Sequence, residues 1–289
     1  MPDLTHGRFR RPLFRRIQAL PLIVSALCAI PLTGADFEDV EFAKPSGVSL
    51  TLDAHIPDGK GPFPTVIIVH GGGWVNGNKR TYVTPLFQPL TDAGFAWFTI
   101  NYRLAPKYQY PAAVDDVKAA VRWVREHAGQ YKVDRKRIAL MGESAGGHLV
   151  ALAGAQNEPS SRVAAVVDFY GAHDLLKRER DRGSVSPGMT SFLGIDKLDE
   201  AGIARLREAS PITYVRKGLP PFLFIHGTKD TAVPYEQSPL MCDALRKAGN
   251  RCEVFTVEGA PHGVGPWEKN PEFQAYKKKM VEWLKATLG

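Results

Sequence analysis

Five residues, Gly142-Glu143-Ser144-Ala145-Gly146, stand where an apolar run, Ile138 to Met141, gives way to helical spacing. A serine on so tight a strand-to-helix turn presents its hydroxyl at the edge of a sheet, and small neighbours give the strained backbone room to turn. A serine hydroxyl at neutral pH is a weak nucleophile. It needs a base beside it, and the base needs a carboxylate to orient it. On a sheet of this kind the acid and then the base follow the nucleophile along the chain. Asp230, closing Ile225-His226-Gly227-Thr228-Lys229-Asp230, is the predicted acid, and His262, in Gly259-Ala260-Pro261-His262-Gly263, the predicted base. Both follow predicted strands, and open α/β sheets hold their sites at those strand ends.

Rival residues are few. Asp168 lies inside an apolar strand run, as a buried hydrogen-bonded acid or a spare partner, and Asp174 falls in an irregular segment. His148, four residues past Ser144, is expected to be a satisfied core histidine, and His226 to pack beside the acid. His55, His127 and His173 lack such contexts and are expected at the surface. A third element, His70-Gly71-Gly72-Gly73-Trp74, follows the apolar run Thr65 to Val69. Backbone amides reach a substrate oxygen only where side chains do not intervene, so the amides of Gly72, Gly73 and Ala145 are assigned to an oxyanion hole. Trp74, and Trp267 five residues past His262, are expected to form flat apolar walls for substrate.

Positioning these residues requires a sheet. Apolar runs at Thr65 to Val69, Phe95 to Ile100, Ile138 to Met141, Val163 to Phe169, Phe222 to Ile225 and Cys252 to Val257 alternate with helical stretches. One of these carries Val114, Val117, Val121 and Val124 on one face; the C-terminal one carries Phe273, Tyr276, Met280, Trp283 and Leu284. The alternation predicts an α/β fold from Val48 onward, a mostly parallel sheet with helices on both faces. Residues 172–213, with the charged run Lys177 to Arg182, break the rhythm and read as a short cap insertion, part helix and part loop, forming a polar rim.

Together, His70-Gly71-Gly72-Gly73-Trp74, Asn101-Tyr102-Arg103-Leu104-Ala105-Pro106, Gly142-Glu143-Ser144-Ala145-Gly146-Gly147-His148 and the Asp230 and His262 loops resemble the hormone-sensitive-lipase-like group of α/β-hydrolase esterases. His148 and Gly227-Thr228-Lys229-Asp230 with Val233-Pro234 are most similar to its bacterial feruloyl-esterase and acetylxylan-esterase-like branch. The resemblance covers residues 40–289 and implies hydrolysis, through an acyl-enzyme and without metal or organic cofactor, of short-chain or aryl esters, including feruloyl or acetyl-carbohydrate esters. No long amphipathic segment precedes Val48, which argues against a large lipid-binding lid. Two other readings stay open: an amide hydrolase on the same fold, of the arylformamidase or exopeptidase type, and a binding protein on an inactive scaffold. Against the latter, Ser144, Asp230 and His262 are all present.

The first 35 residues differ from the rest. Five arginines precede an apolar run from Ile17 to Leu32 and then Thr33-Gly34-Ala35, the layout of a cleaved signal peptide. Pro21 and Pro31 bracket only nine residues, against the roughly 20 that span a bilayer. We therefore expect cleavage near Ala35, export from a bacterial cell and no stable membrane span. This segment carries +4 of the +7 formal charge, so residues 36–289 hold +3, too little to suggest a nucleic-acid partner. Cys28 would leave with the peptide. Cys242 and Cys252 remain, ten positions apart, and in an exported protein a disulfide is their expected state, provided the helix carrying Cys242 ends near the following strand.

Overall fold

In the computed structural model of the chain, residues 34–289 are described; the expected signal segment lies almost wholly outside them. Eight strands form one sheet in the order β1-β2-β4-β3-β5-β6-β7-β8. They are β1 Ala35–Ala43, β2 Leu50–Ile56, β3 Phe63–Val69, β4 Ala96–Ile100, β5 Val133–Glu143, β6 Ala165–Phe169, β7 Phe222–Gly227 and β8 Cys252–Val257. β1 and β2 pair antiparallel, β2 runs antiparallel to β4, and every other neighbouring pair is parallel.

β3 shows why the central strands read as unbroken apolar runs. Val66, Ile67, Ile68 and Val69 are all fully buried. Ile67 and Val69 face one core and Val66 and Ile68 the other, because alternate side chains leave opposite faces of a strand and both faces are covered. The first core receives α2 (Ala112–Glu126) through Val114, Val117, Val121 and Val124, together with α3 (Ala145–Gln156). The second receives α9 (Ala275–Leu288) through Tyr276, Met280, Trp283, Leu284 and Leu288; Phe273 lies just before this helix in a 3₁₀ turn. The remaining helices are α1 (Phe87–Asp92), α4 (Leu175–Arg182), α5 (Pro187–Leu193), α6 (Glu200–Glu208), α7 (Gln237–Lys247) and α8 (Val264–Glu268).

The insertion, residues 172–213, is more ordered and more apolar beneath than its charge suggested. Asp174, Ser186 and Asp199 cap α4, α5 and α6 by accepting N–H bonds from Lys177, Met189 and Gly202. Leu175, Leu176, Met189, Phe192, Leu193 and Leu206 then bury their side chains in the first core. Cys242 and Cys252 are joined by a disulfide with a Cα–Cα separation of 5.5 Å. Gly249, at φ 81°, turns the chain after α7 so that β8 starts back along the helix beside Cys242.

Candidate active site

The parallel strands align their carboxyl ends. Val69 pairs with Gly142, Glu143 with Phe169, and Gly227 with Val257, so the loops after β3, β5, β6, β7 and β8 leave the same edge. Ser144 occupies the turn from β5 to α3 at φ 56° and ψ −117°, a conformation rare for a residue with a Cβ. A Cβ on Gly146 would lie 2.2 Å from the Val69 carbonyl oxygen, so a bulkier residue would push the turn off β3.

The structure brings the three predicted side chains into one chain of hydrogen bonds. Ser144 Oγ lies 2.9 Å from His262 Nε2, and His262 Nδ1 lies 2.6 Å from Asp230 Oδ2. With Nδ1–H donating to the carboxylate, Nε2 is free to accept the serine proton. Asp230 Oδ1 accepts the Ala232 and Val233 N–H groups at 2.9 and 2.8 Å, and His226 Nε2 stands 3.3 Å from Oδ2. Burial opposes ionisation of Asp230, but hydrogen bonds from His226 and His262, the His262 charge and the Val233 amide outweigh it. The carboxyl is held well below the usual range. Asp168 has the opposite fate. It is fully buried, its Oδ1 accepts only the Gly171 N–H at 2.8 Å, its Oδ2 has no hydrogen-bond partner, and burial pushes it up to about 8.

Gly72, Gly73 and Ala145 line the cavity next to Ser144. Neither the Gly72 nor the Gly73 N–H donates to a group among the described residues, and Ala145 is the first residue of α3, whose N–H has no intrahelical acceptor. The glycine loop is braced from below. The Tyr102 hydroxyl reaches the His70 and Gly71 carbonyls at 3.2 Å each, the Tyr102 ring stacks on His70 at 4.3 Å, and Ala105 N–H donates to Trp74 O at 2.9 Å. Asn101 Oδ1 accepts the Lys79 N–H at 2.8 Å. The run from Asn101 to Pro106 thus supports the loop rather than meeting substrate.

The two tryptophans part company. Trp74 lines the cavity, stacks on Phe192 of α5 at 4.7 Å, and donates Nε1–H to His148 Nδ1 at 3.2 Å. His148 must then carry its proton on Nε2, which meets the Ala209 carbonyl at 2.8 Å; it is the satisfied core histidine expected. Trp267 is not a substrate wall. It is fully buried against Phe169, Tyr170 and Tyr276, with Nε1–H donating to Pro261 O at 2.7 Å, so it supports the His262 loop from behind. The five-residue spacing put it on α8, and the helix turned it inward. His173 is also buried, 3.8 Å from Asp168, and His55 is buried beside Asp36, against the expected surface positions.

Three cavity residues went unread in the sequence. Glu143 is almost fully buried at the cavity floor with Oε1 lacking any hydrogen-bond partner. Burial pushes it up to about 7, offset in part by His262, the Gly71 amide and the Tyr170 hydroxyl. Arg178 lines the cavity from α4, and Tyr82, at the rim, is about half exposed with φ 67°. The whole cavity measures about 550 Å³ and is otherwise walled by Ala172, Ser186, Gly188, Ala232, Val233 and residues 262–266. Among the described residues no His, Cys, Asp and Glu cluster is arranged to hold a metal ion, and no helix is long and apolar enough to cross a membrane.

A serine on the turn after the central strand of a mostly parallel eight-stranded sheet, with its acid and base on later strand-end loops, defines an α/β hydrolase. Within that class the chain belongs to the BD-FAE family, whose model matches residues 52–245. Esterase LipC of Mycobacterium tuberculosis is 36% identical over 223 residues, an overlap of 70% of this chain and 53% of LipC. The chain spans about half the length of such curated relatives. Among solved structures, a truncated carbohydrate esterase from gut microbiota matches with a TM-score of 0.77 at 29% identity, over 88% of this chain and 96% of the other. An acetyl ester-xyloside bifunctional hydrolase from Caldicellulosiruptor lactoaceticus matches with a TM-score of 0.74 at 25% identity, over 86% and 95%.

Proposed function

We propose that this chain is an exported serine hydrolase that cleaves small or carbohydrate-linked carboxylic esters through an acyl-enzyme, with Ser144 as nucleophile, His262 as base and Asp230 as the orienting acid. The observation that carries this reading is the hydrogen-bonded line Ser144, His262, Asp230 opening onto a cavity beside two uncommitted glycine amides. As Ser144 Oγ attacks the ester carbonyl, His262 Nε2 takes its proton, and Asp230 stabilises the imidazolium that results. The carbonyl oxygen becomes negative and meets the Gly72, Gly73 and Ala145 amides; each such donor is worth about 3 kcal/mol of barrier. His262 then protonates the departing alcohol, and water repeats the path to release the acid.

A cavity of about 550 Å³ is of a size for a short or aromatic acyl group with a compact alcohol. Trp74 supplies a fixed apolar wall, and the half-exposed Tyr82 ring at the rim offers a face on which a sugar or aryl ring can stack. The names of relatives, an esterase and carbohydrate-ester hydrolases, favour the same substrate class. Export rests on the arginine-rich, apolar N-terminal layout, and the mass of the protein recovered from the periplasm or medium tests it. For the reaction, a fluorophosphonate is expected to label Ser144 and to block turnover of acetyl and feruloyl esters. Labelling without ester turnover, or faster turnover of matched amides, would overturn the reading.

A further inference from the structure

At the opposite end of the sheet from Ser144, where the central strands begin, two concavities of about 470 and 390 Å³ share Arg135. Arg125, Arg135, Lys136 and Arg162 line the first and Lys60, Lys132 and Arg135 the second, and among the described residues no carboxylate lines either. Of the acids close by in the chain, Asp134 and Glu158 are engaged by Arg137 and Lys118, and Glu126, next to Arg125, lines neither concavity. Some of the cations are fixed in place: Arg125 Nη1 donates to Ser160 O at 2.9 Å and its Nη2 to Arg162 O, and Lys132 Nζ donates to Gly59 O at 2.9 Å. Arg135, Lys136 and Arg162 are exposed, and their side chains make no ion pair or hydrogen bond among the described residues.

Residues 36–289 carry a formal charge of only +3, so six cations gathered at one end, with no carboxylate among the described residues that line the groove, form a strong local field on a nearly neutral body. We propose that this paired groove binds an extended polycarboxylate, an acidic polysaccharide chain, remote from the cavity that holds Ser144. Two adjoining concavities suit a chain with carboxylates repeated along it. Among the described residues no aromatic side chain lines them, so these offer no platform for stacking bases. A bilayer fits poorly, because the exposed large apolar side chains among the described residues, Val75 and Tyr82, belong to the loop after β3 at the other end of the sheet.

The binding does not depend on the hydrolytic reading, and its test is separate. Affinity of the full chain for polygalacturonate is measured against uncharged arabinoxylan, alongside an Arg135→Glu/Lys136→Glu/Arg162→Glu variant. The N-terminal arginines are common to both proteins, so the difference reports the groove. Expected is binding to polygalacturonate alone, weakened at least about tenfold in the variant. It is also expected to fade between about 10 and 150 mM salt, as the screening length falls from about 30 to 8 Å. A matching triple Gln variant is expected to lose less, and an unchanged melting temperature in either variant establishes its fold. Equal affinity of wild type and both variants overturns the proposal. So does binding that phosphatidylglycerol vesicles compete away while soluble polygalacturonate does not, which makes the partner a membrane.

Discussion

Glu143 is a carboxyl group that folding makes harder to ionise, and this gives it a measurable signature. Its ordinary value of 4.5 rises to about 7 in the folded chain because the side chain is only 4% exposed. A tenfold change in proton affinity corresponds to about 1.4 kcal/mol, so the rise corresponds to about 3 kcal/mol. The sign follows from proton counting. Between pH 4.5 and about 7 the folded state binds more protons at this group than the unfolded state, so stability falls as pH rises through that window and levels off above it. Glu143→Gln removes the ionisation and keeps the shape. Urea unfolding at pH 4.5, 6 and 8 is expected to show the variant gaining on wild type from near zero to about 3 kcal/mol. Asp168, raised to about 8, titrates in both proteins and cancels from the difference. A stability gap independent of pH would refute the argument, since it would show that Glu143 ionises no less easily in the folded chain than in the unfolded one.

Asp230→Asn is expected to lower kcat for ester hydrolysis on the order of 10⁴-fold, whereas Asp168→Asn, at a residue largely protonated near neutrality, leaves it almost unchanged; kinetics on one acetyl ester ranks them. Trp267→Ala is expected to cost about 3 to 5 kcal/mol in chemical denaturation through the cavity it leaves. Tyr82→Ala is expected to raise KM about two- to tenfold for acetylated xylo-oligosaccharide and to leave ethyl acetate unaffected. Replacing Cys242 and Cys252 together by Ser opens a loop of about 11 residues and is expected to lower stability by about 2.8 kcal/mol, read from urea midpoints.

The central strands were legible because burial on both faces forces unbroken apolar runs, and Ser144, Asp230 and His262 because each sits where such a run stops. β1 was not. Its sequence, Ala-Asp-Phe-Glu-Asp-Val-Glu-Phe-Ala, is crowded with acids and mostly exposed, as an edge strand can afford to be, and no propensity marks it. The insertion misled in the same direction: its charges are visible in sequence, while the apolar underside of three short helices appears only once their faces are known. Trp267 and His173 failed for a further reason. Which way a loop-proximal ring points depends on the helix or turn that follows it, and spacing from His262 carries no such information. Glu143 occupies a position that the motif leaves free, so nothing in the pattern announced a buried acid there.

The contact of Trp74 with Phe192, together with the relay from Trp74 through His148 to the Ala209 carbonyl, makes the insertion and the glycine loop a matched pair. Both partners of that lock lie in different stretches of chain, so neither can be exchanged alone. A chimera that takes only residues 172–213 from a relative inherits a foreign key for Trp74. To transplant this wall of the cavity between relatives, the unit to move is the insertion together with Trp74 and His148.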